Sequence, residues 1–134
     1  MRRRSQAGGL TRQRSIPQAA QHALVARLEQ HVRTHWKDTC REVVVRFRGM
    51  FAYVDAFPLR HQFMPGTTPE ERARIEATPT RLCRLGYLGS PGRWEFAFFK
   101  YSNEKYEPSF LPSGEFVGTP EEAFDCAAQV YLQD

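Results

Sequence analysis

Leu24, Leu28, Val32 and Trp36 recur every fourth residue behind Pro17, and that spacing predicts an amphipathic helix from Pro17 to about Lys37. Proline at the first turn gives the helix its start. At 100° per residue His31 and His35 fall on the same arc as Leu24. The period then changes. "CREVVVRFRG" sets Val43, Val45 and Phe47 against Val44, Arg46 and Arg48, and "MFAYVDAF" alternates in the same way after Gly49. Two alternating runs separated by a glycine predict a tight β-hairpin. "RLCRLGYLG" predicts a third strand and "RWEFAFFKYS" a fourth, with Ser90-Pro91-Gly92 as the turn between them. "KYEPSFL" predicts a fifth, which Pro108 confines to an edge or a bulge. Thr119-Pro120-Glu121-Glu122 is a capping box with proline at the first helical position, and it opens a second main helix running to about Leu132. Ala123, Phe124, Ala127, Val130 and Tyr131 are its expected buried side.

Residues 58 to 80 interrupt this pattern with four prolines and a second capping box, Thr68-Pro69-Glu70-Glu71. They predict a surface insertion carrying one short charged helix. The expected architecture is therefore α+β: an N-terminal helix, an antiparallel sheet of about five strands and a C-terminal helix, both helices packed on one sheet face. Residues 16 to 134 form that single domain, and residues 1 to 15 are expected to be a disordered basic tail.

Charge changes the picture in one respect. Of 19 lysines and arginines, Arg2, Arg3, Arg4, Arg12 and Arg14 lie in the first fourteen residues, which hold no acid. The remainder sets 14 basic residues against 15 acidic ones, so the positive balance belongs to the tail. A basic arm attracts phosphate over long range. The sequence contains no apolar run of membrane-spanning length. Three widely spaced cysteines, Cys40, Cys83 and Cys126, suit free thiols in a cytoplasmic protein better than a disulfide framework.

Candidate chemistry is sparse. His31 and His35 stand at a spacing that suits one metal ion, but no third ligand is evident beyond Cys40 or His61, and no HExxH motif exists. Asp55, Glu95, Cys83 and Cys126 sit in no recognisable catalytic motif, and no phosphate-binding glycine loop is present. The reading is a non-enzymatic binding protein with no cofactor and no metal. A small hydrolase or metal enzyme stands as the third possibility.

A stronger pattern is spread over the strands. Arg46, Arg48, Arg84, Arg93 and Lys100, with Trp94 and Tyr101 among them, are the candidate nucleic-acid-binding residues on an uncovered sheet face, and the five tail arginines add unspecific attraction. Guanidinium groups for phosphates and rings for bases are what such a platform needs. The competing expectation is that Glu42, Asp55, Glu95, Glu104, Glu107 and Glu115 pair with those arginines across the sheet. The alternative function is protein interaction, with a second copy or a larger complex, through exposed aromatics and without nucleic acid.

Taken together, "VRFRGMFAYVDAF", "RLCRLGYLGS", "RWEFAFFKYS" and "LPSGEFVGTPEEAFDCAA" resemble a group of small uncharacterised bacterial proteins, along nearly the whole chain from about Trp36 onward. "LPSG" followed by "GTPEEAFDCA" is the most specific part. That group has no established activity, so the resemblance implies no function. Over residues 81 to 128 the order of three strands and a helix is also similar to AP2 domains, whose sheet enters the DNA major groove. The helix–sheet–helix order resembles double-stranded-RNA-binding domains, which place lysines at the start of the second helix. Here Glu121 and Glu122 stand in that position, and they repel phosphate.

Overall fold

A computed structural model describes residues 15–59 and 63–132 of the chain. The five tail arginines and His61 lie outside the described residues. Among the described residues nine elements follow one another: α1 (Gln18–His35), β1 (Cys40–Arg48), β2 (Phe51–Pro58), α2 (Pro69–Ala77), β3 (Thr80–Tyr87), β4 (Trp94–Lys100), β5 (Lys105–Pro108), β6 (Val117–Gly118) and α3 (Pro120–Tyr131). The sheet is antiparallel in the order β1-β2-β3-β4-β5, and β6 pairs with the beginning of β4 on the side where β5 pairs with its end. The expected α+β architecture is present, with α1 against β1 and α3 against β3 and β4.

The hairpin forms in the register that alternation demands. Arg48 faces Phe51, Arg46 faces Tyr53 and Val44 faces Asp55. Gly49 occupies the left-handed region at φ 60°, which a two-residue connection needs and glycine adopts without strain. Val43, Val45, Phe47, Ala52, Val54, Leu85, Phe96 and Phe98 share the face beneath the helices, together with Leu24, Leu28, Val32, Phe124 and Ala127.

Both capping boxes form. Thr119 accepts from the Glu122 amide and the Glu122 side chain accepts from the Thr119 amide, and Thr68 and Glu71 repeat this at α2. Each cap is worth about 1 kcal/mol. α1 ends two residues earlier than the spacing predicts, and Pro17 caps it rather than entering it. Val130 is not on the buried side of α3; it is 60% exposed, and Ala128 is buried instead. At 100° per residue Val130 lies roughly 120° round from Phe124, outside the arc that meets the sheet.

Two polar clasps join α1 to α3. Arg27 donates to both carboxylate oxygens of Glu121, at 2.9 and 2.7 Å. His31 and Trp36 both reach Asp125 Oδ1, at 2.7 and 2.8 Å. The i, i+4 histidine pair is therefore part of a helix–helix joint, with the two rings 4.6 Å apart. Among the described residues no group of three or more His, Cys, Asp or Glu side chains is placed to hold a metal ion, and no helix is long and apolar enough to cross a membrane.

Candidate nucleic-acid interface

The face turned away from the helices is built by the other parity of each strand. β1 contributes Arg46 and Arg48, and β2 contributes Phe51, Tyr53 and Asp55. Gly86 and Arg84 follow on β3, Glu95, Ala97 and Phe99 on β4, and Tyr106 and Pro108 on β5. Arg81 joins them through an irregularity. Between Val54 and Asp55 the register shifts, so that Val54 faces Cys83 while Asp55 faces Arg81. Leu82 and Cys83 are then both buried, and Arg81 returns to the open side.

Three guanidiniums on this face, those of Arg46, Arg81 and Arg84, rest on rings. Arg84 lies 4.3 Å from the Phe51 ring centroid and 5.9 Å from that of Tyr106. Arg46 stands 5.4 Å from Tyr53, and Arg81 5.3 Å from Phe99. Tyr53 and Tyr106 meet at 5.2 Å although β3 and β4 lie between their strands, so the two side chains lean inward toward one another. Phe99 and Ala97, roofed by this layer, are only 2% and 4% exposed. The rings thus hold arginines in place rather than standing free for bases to stack on.

At the centre sits Asp55, the one buried acid among the described residues. Arg46 Nε donates to its Oδ2 at 3.3 Å. Among the described residues Oδ1 and the Tyr106 hydroxyl are enclosed with no hydrogen-bond partner. Burial raises the Tyr106 pKa and the Asp55 charge raises it further. For Arg46 burial opposes the charged form, but the Asp55 hydrogen bond and charge outweigh it and the pKa is raised. Enclosed polar atoms without partners are uncommon and concentrate where a protein is built for something other than stability.

The carboxylates do not neutralise the rest of the face. Asp55 takes Arg46, and Glu115 stands 3.8 Å from Arg93. Among the described residues the side chains of Arg48, Arg81 and Arg84 have no hydrogen-bond acceptor and no ion-pair partner.

The sequence-predicted residues divide accordingly. Arg46, Arg48 and Arg84 converge on the open face as expected. Trp94 does not: it is 1% exposed on the helix side, donating from Nε1 to the Pro91 carbonyl at 2.9 Å, so it offers no ring to a ligand. Arg93 precedes β4 beside Glu115, at the margin. Lys100 shares the parity of Phe98 and so points to the helix side, at the far end of β4. Tyr101 is 47% exposed, but its hydroxyl is engaged by the Arg81 backbone, accepting from N at 2.7 Å and donating to O at 3.1 Å. Phe51, Tyr106 and Arg81 complete the site, although none of them is among the residues predicted to bind. Arg81 was recognisable as a strand arginine, but its side follows from the bulge.

Nucleophilic chemistry has no support in the thiols. Burial pushes Cys40 up to about 11, and it raises Cys83 and Cys126 as well, so all three stay protonated near neutral pH. No protein-family model, no curated protein and no solved structure matches this chain, and the chemistry of the open face itself carries the functional reading.

Proposed function

We propose that this chain is a non-enzymatic, nucleic-acid-associated accessory protein that takes phosphate groups on its open sheet face. The observation that carries the reading is the set of three guanidiniums, Arg48, Arg81 and Arg84, without protein acceptors, two of them stacked on rings that fix their orientation. A guanidinium laid on a ring keeps its N–H edge free for two parallel hydrogen bonds to an anion. Contacts of this kind position a nucleic-acid backbone and carry no sequence information. The Ile16 amide donates to the Gly49 carbonyl beside the hairpin turn. We place the protein in the cytoplasm, where its three free cysteines stay reduced.

The test uses residues 15–134 and a short labelled single-stranded oligonucleotide, followed by fluorescence anisotropy. Retention at about 50 mM salt that falls steeply by about 200 mM supports the reading. No retention of either DNA or RNA at low salt removes it.

One observation favours a second reading, protein interaction. Phe110 and Phe116 are 62% and 44% exposed and stack on each other at 4.2 Å, beside the β4 edge. A partner held there would bind through apolar area and respond little to salt.

A further inference from the structure

The open face has a hollow of about 230 Å³ lined by Phe51, Arg84, Gly86, Glu95, Ala97 and Phe116, with Pro108 at its rim. Its floor is made where two neighbouring strands carry the smallest residues: Gly86, buried, and Ala97, 4% exposed. A Cβ at Gly86 would lie 3.2 Å from Glu95 Oε1 and 3.3 Å from its Cβ, so the missing side chain is what lets the Glu95 carboxylate lie over this floor. Arg84 pairs directly with Ala97, and Gly86 with Glu95. Arg84 and Glu95 are therefore diagonal neighbours, about 7 to 8 Å apart. They make no ion pair with each other, and among the described residues neither side chain has a hydrogen-bonding partner.

We infer that this hollow seats a single nucleobase, and that guanine fits it best. The inference rests on the proposed phosphate-binding role and names what lies beside the phosphate. The volume falls below that of an ordinary small-molecule site, which suits one ring system with its sugar and phosphate outside. Phe116, whose ring carries no arginine, and the apolar floor give a planar ring its contact area. Glu95 can only accept and Arg84 can only donate. A guanine presents both what a carboxylate needs, N1–H and the N2 amino group, and what a guanidinium needs, O6 and N7. Uracil has one N–H donor and no amino group. A phenylalanine side chain of a partner protein leaves both charged groups unused. With Arg84 engaged by the base, the phosphate of that nucleotide falls to Arg48, across the sheet from Glu95, because Arg48 aligns with Phe51 and Gly86 across the strands.

The full chain is titrated with guanosine and uridine monophosphates while backbone amide shifts are followed. The expected result is guanosine binding about fivefold or more tighter than uridine, with shifts at Phe51, Gly86, Ala97 and Phe116. Glu95→Gln should abolish that preference. Gly86→Ala, its fold checked by thermal unfolding, should weaken both nucleotides. Equal binding of the two nucleotides overturns the inference, as does a shift pattern that spares Gly86 and Ala97 or tighter binding of an aromatic peptide amide. If the slot fails in these ways while a labelled oligonucleotide is still retained at low salt, the phosphate-binding face stands without it. If neither nucleotide nor oligonucleotide binds, both readings fall.

Discussion

Removing Arg46 should cost more than removing the charge of the acid it serves. Asp55 is 8% exposed at its side chain and Arg46 is 52% exposed, with Nε 3.3 Å from Oδ2. At an effective dielectric constant of about 20 two unit charges at this separation attract by roughly 5 kcal/mol. Half-exposure of the arginine and the desolvation of the acid reduce that sharply. Arg46→Ala leaves a carboxylate enclosed with no cation and also loses the contact with Tyr53, so we expect about 2–3 kcal/mol of destabilisation. In Asp55→Asn the guanidinium turns to water and an amide oxygen remains to accept, which costs about 1 kcal/mol. Arg81 stands directly opposite Asp55 across β2 and β3 and is its natural replacement partner. The double variant Arg46→Ala/Arg81→Ala should therefore lose more than the sum of the two single losses. Urea unfolding followed by fluorescence of Trp36 and Trp94 gives these numbers from shifts in midpoint at constant slope. An Arg46→Ala variant as stable as Asp55→Asn would refute the reasoning, because it would mean that water already reaches the acid.

Other consequences are independent of this one. Trp94→Phe should lower stability by about 1–3 kcal/mol yet leave oligonucleotide affinity unchanged, and a loss of affinity in a fully folded variant would put the indole back in the site. The Glu121 carboxyl is pushed up by burial, but its hydrogen bonds from Arg27 outweigh this and hold it below the usual carboxylate range. A depressed acid contributes stability above its unfolded pKa and loses it as pH falls through the native value. Arg27→Ala should thus cost about 0.5–1 kcal/mol near neutral pH, and the deficit should close below about pH 4; a pH-independent deficit argues for packing alone. A disulfide reagent at pH 8 should modify half-buried Cys126 first and reach Cys40 and Cys83 only on unfolding, as counted by released chromophore.

What the sequence revealed and what it hid follow from the period of a strand. In the first hairpin Arg46 and Arg48 occupy the parity opposite to Val43, Val45 and Phe47, so alternation alone assigned them to the open side. β4 offers no such contrast. Trp94, Phe96 and Phe98 share one parity with Lys100, while Ala97 and Phe99 share the other with Glu95, and both faces are largely apolar. Nothing local then says which row meets the helices, and Trp94 was assigned to the wrong one. Arg81 illustrates a different limit: simple alternation from Arg84 puts it under the helices, and only the bulge at Leu82 and Cys83 brings it back. β6 is two residues long, below what any pattern can signal. The enclosure of Asp55 by Tyr106, from a strand three positions away in the sheet, is a tertiary event with no local trace.

The most direct test observes the arginine side chains themselves. With the nitrogens labelled, the Nε–H resonances of Arg48, Arg81 and Arg84 should move together when a single-stranded oligonucleotide is added at low salt and return as salt is raised. That of Arg27, held by Glu121 on the helix side, should stay in place. Movement confined to the helix side or to the Phe110–Phe116 edge, or no movement among these three, contradicts the assignment of the open face as the phosphate-binding surface.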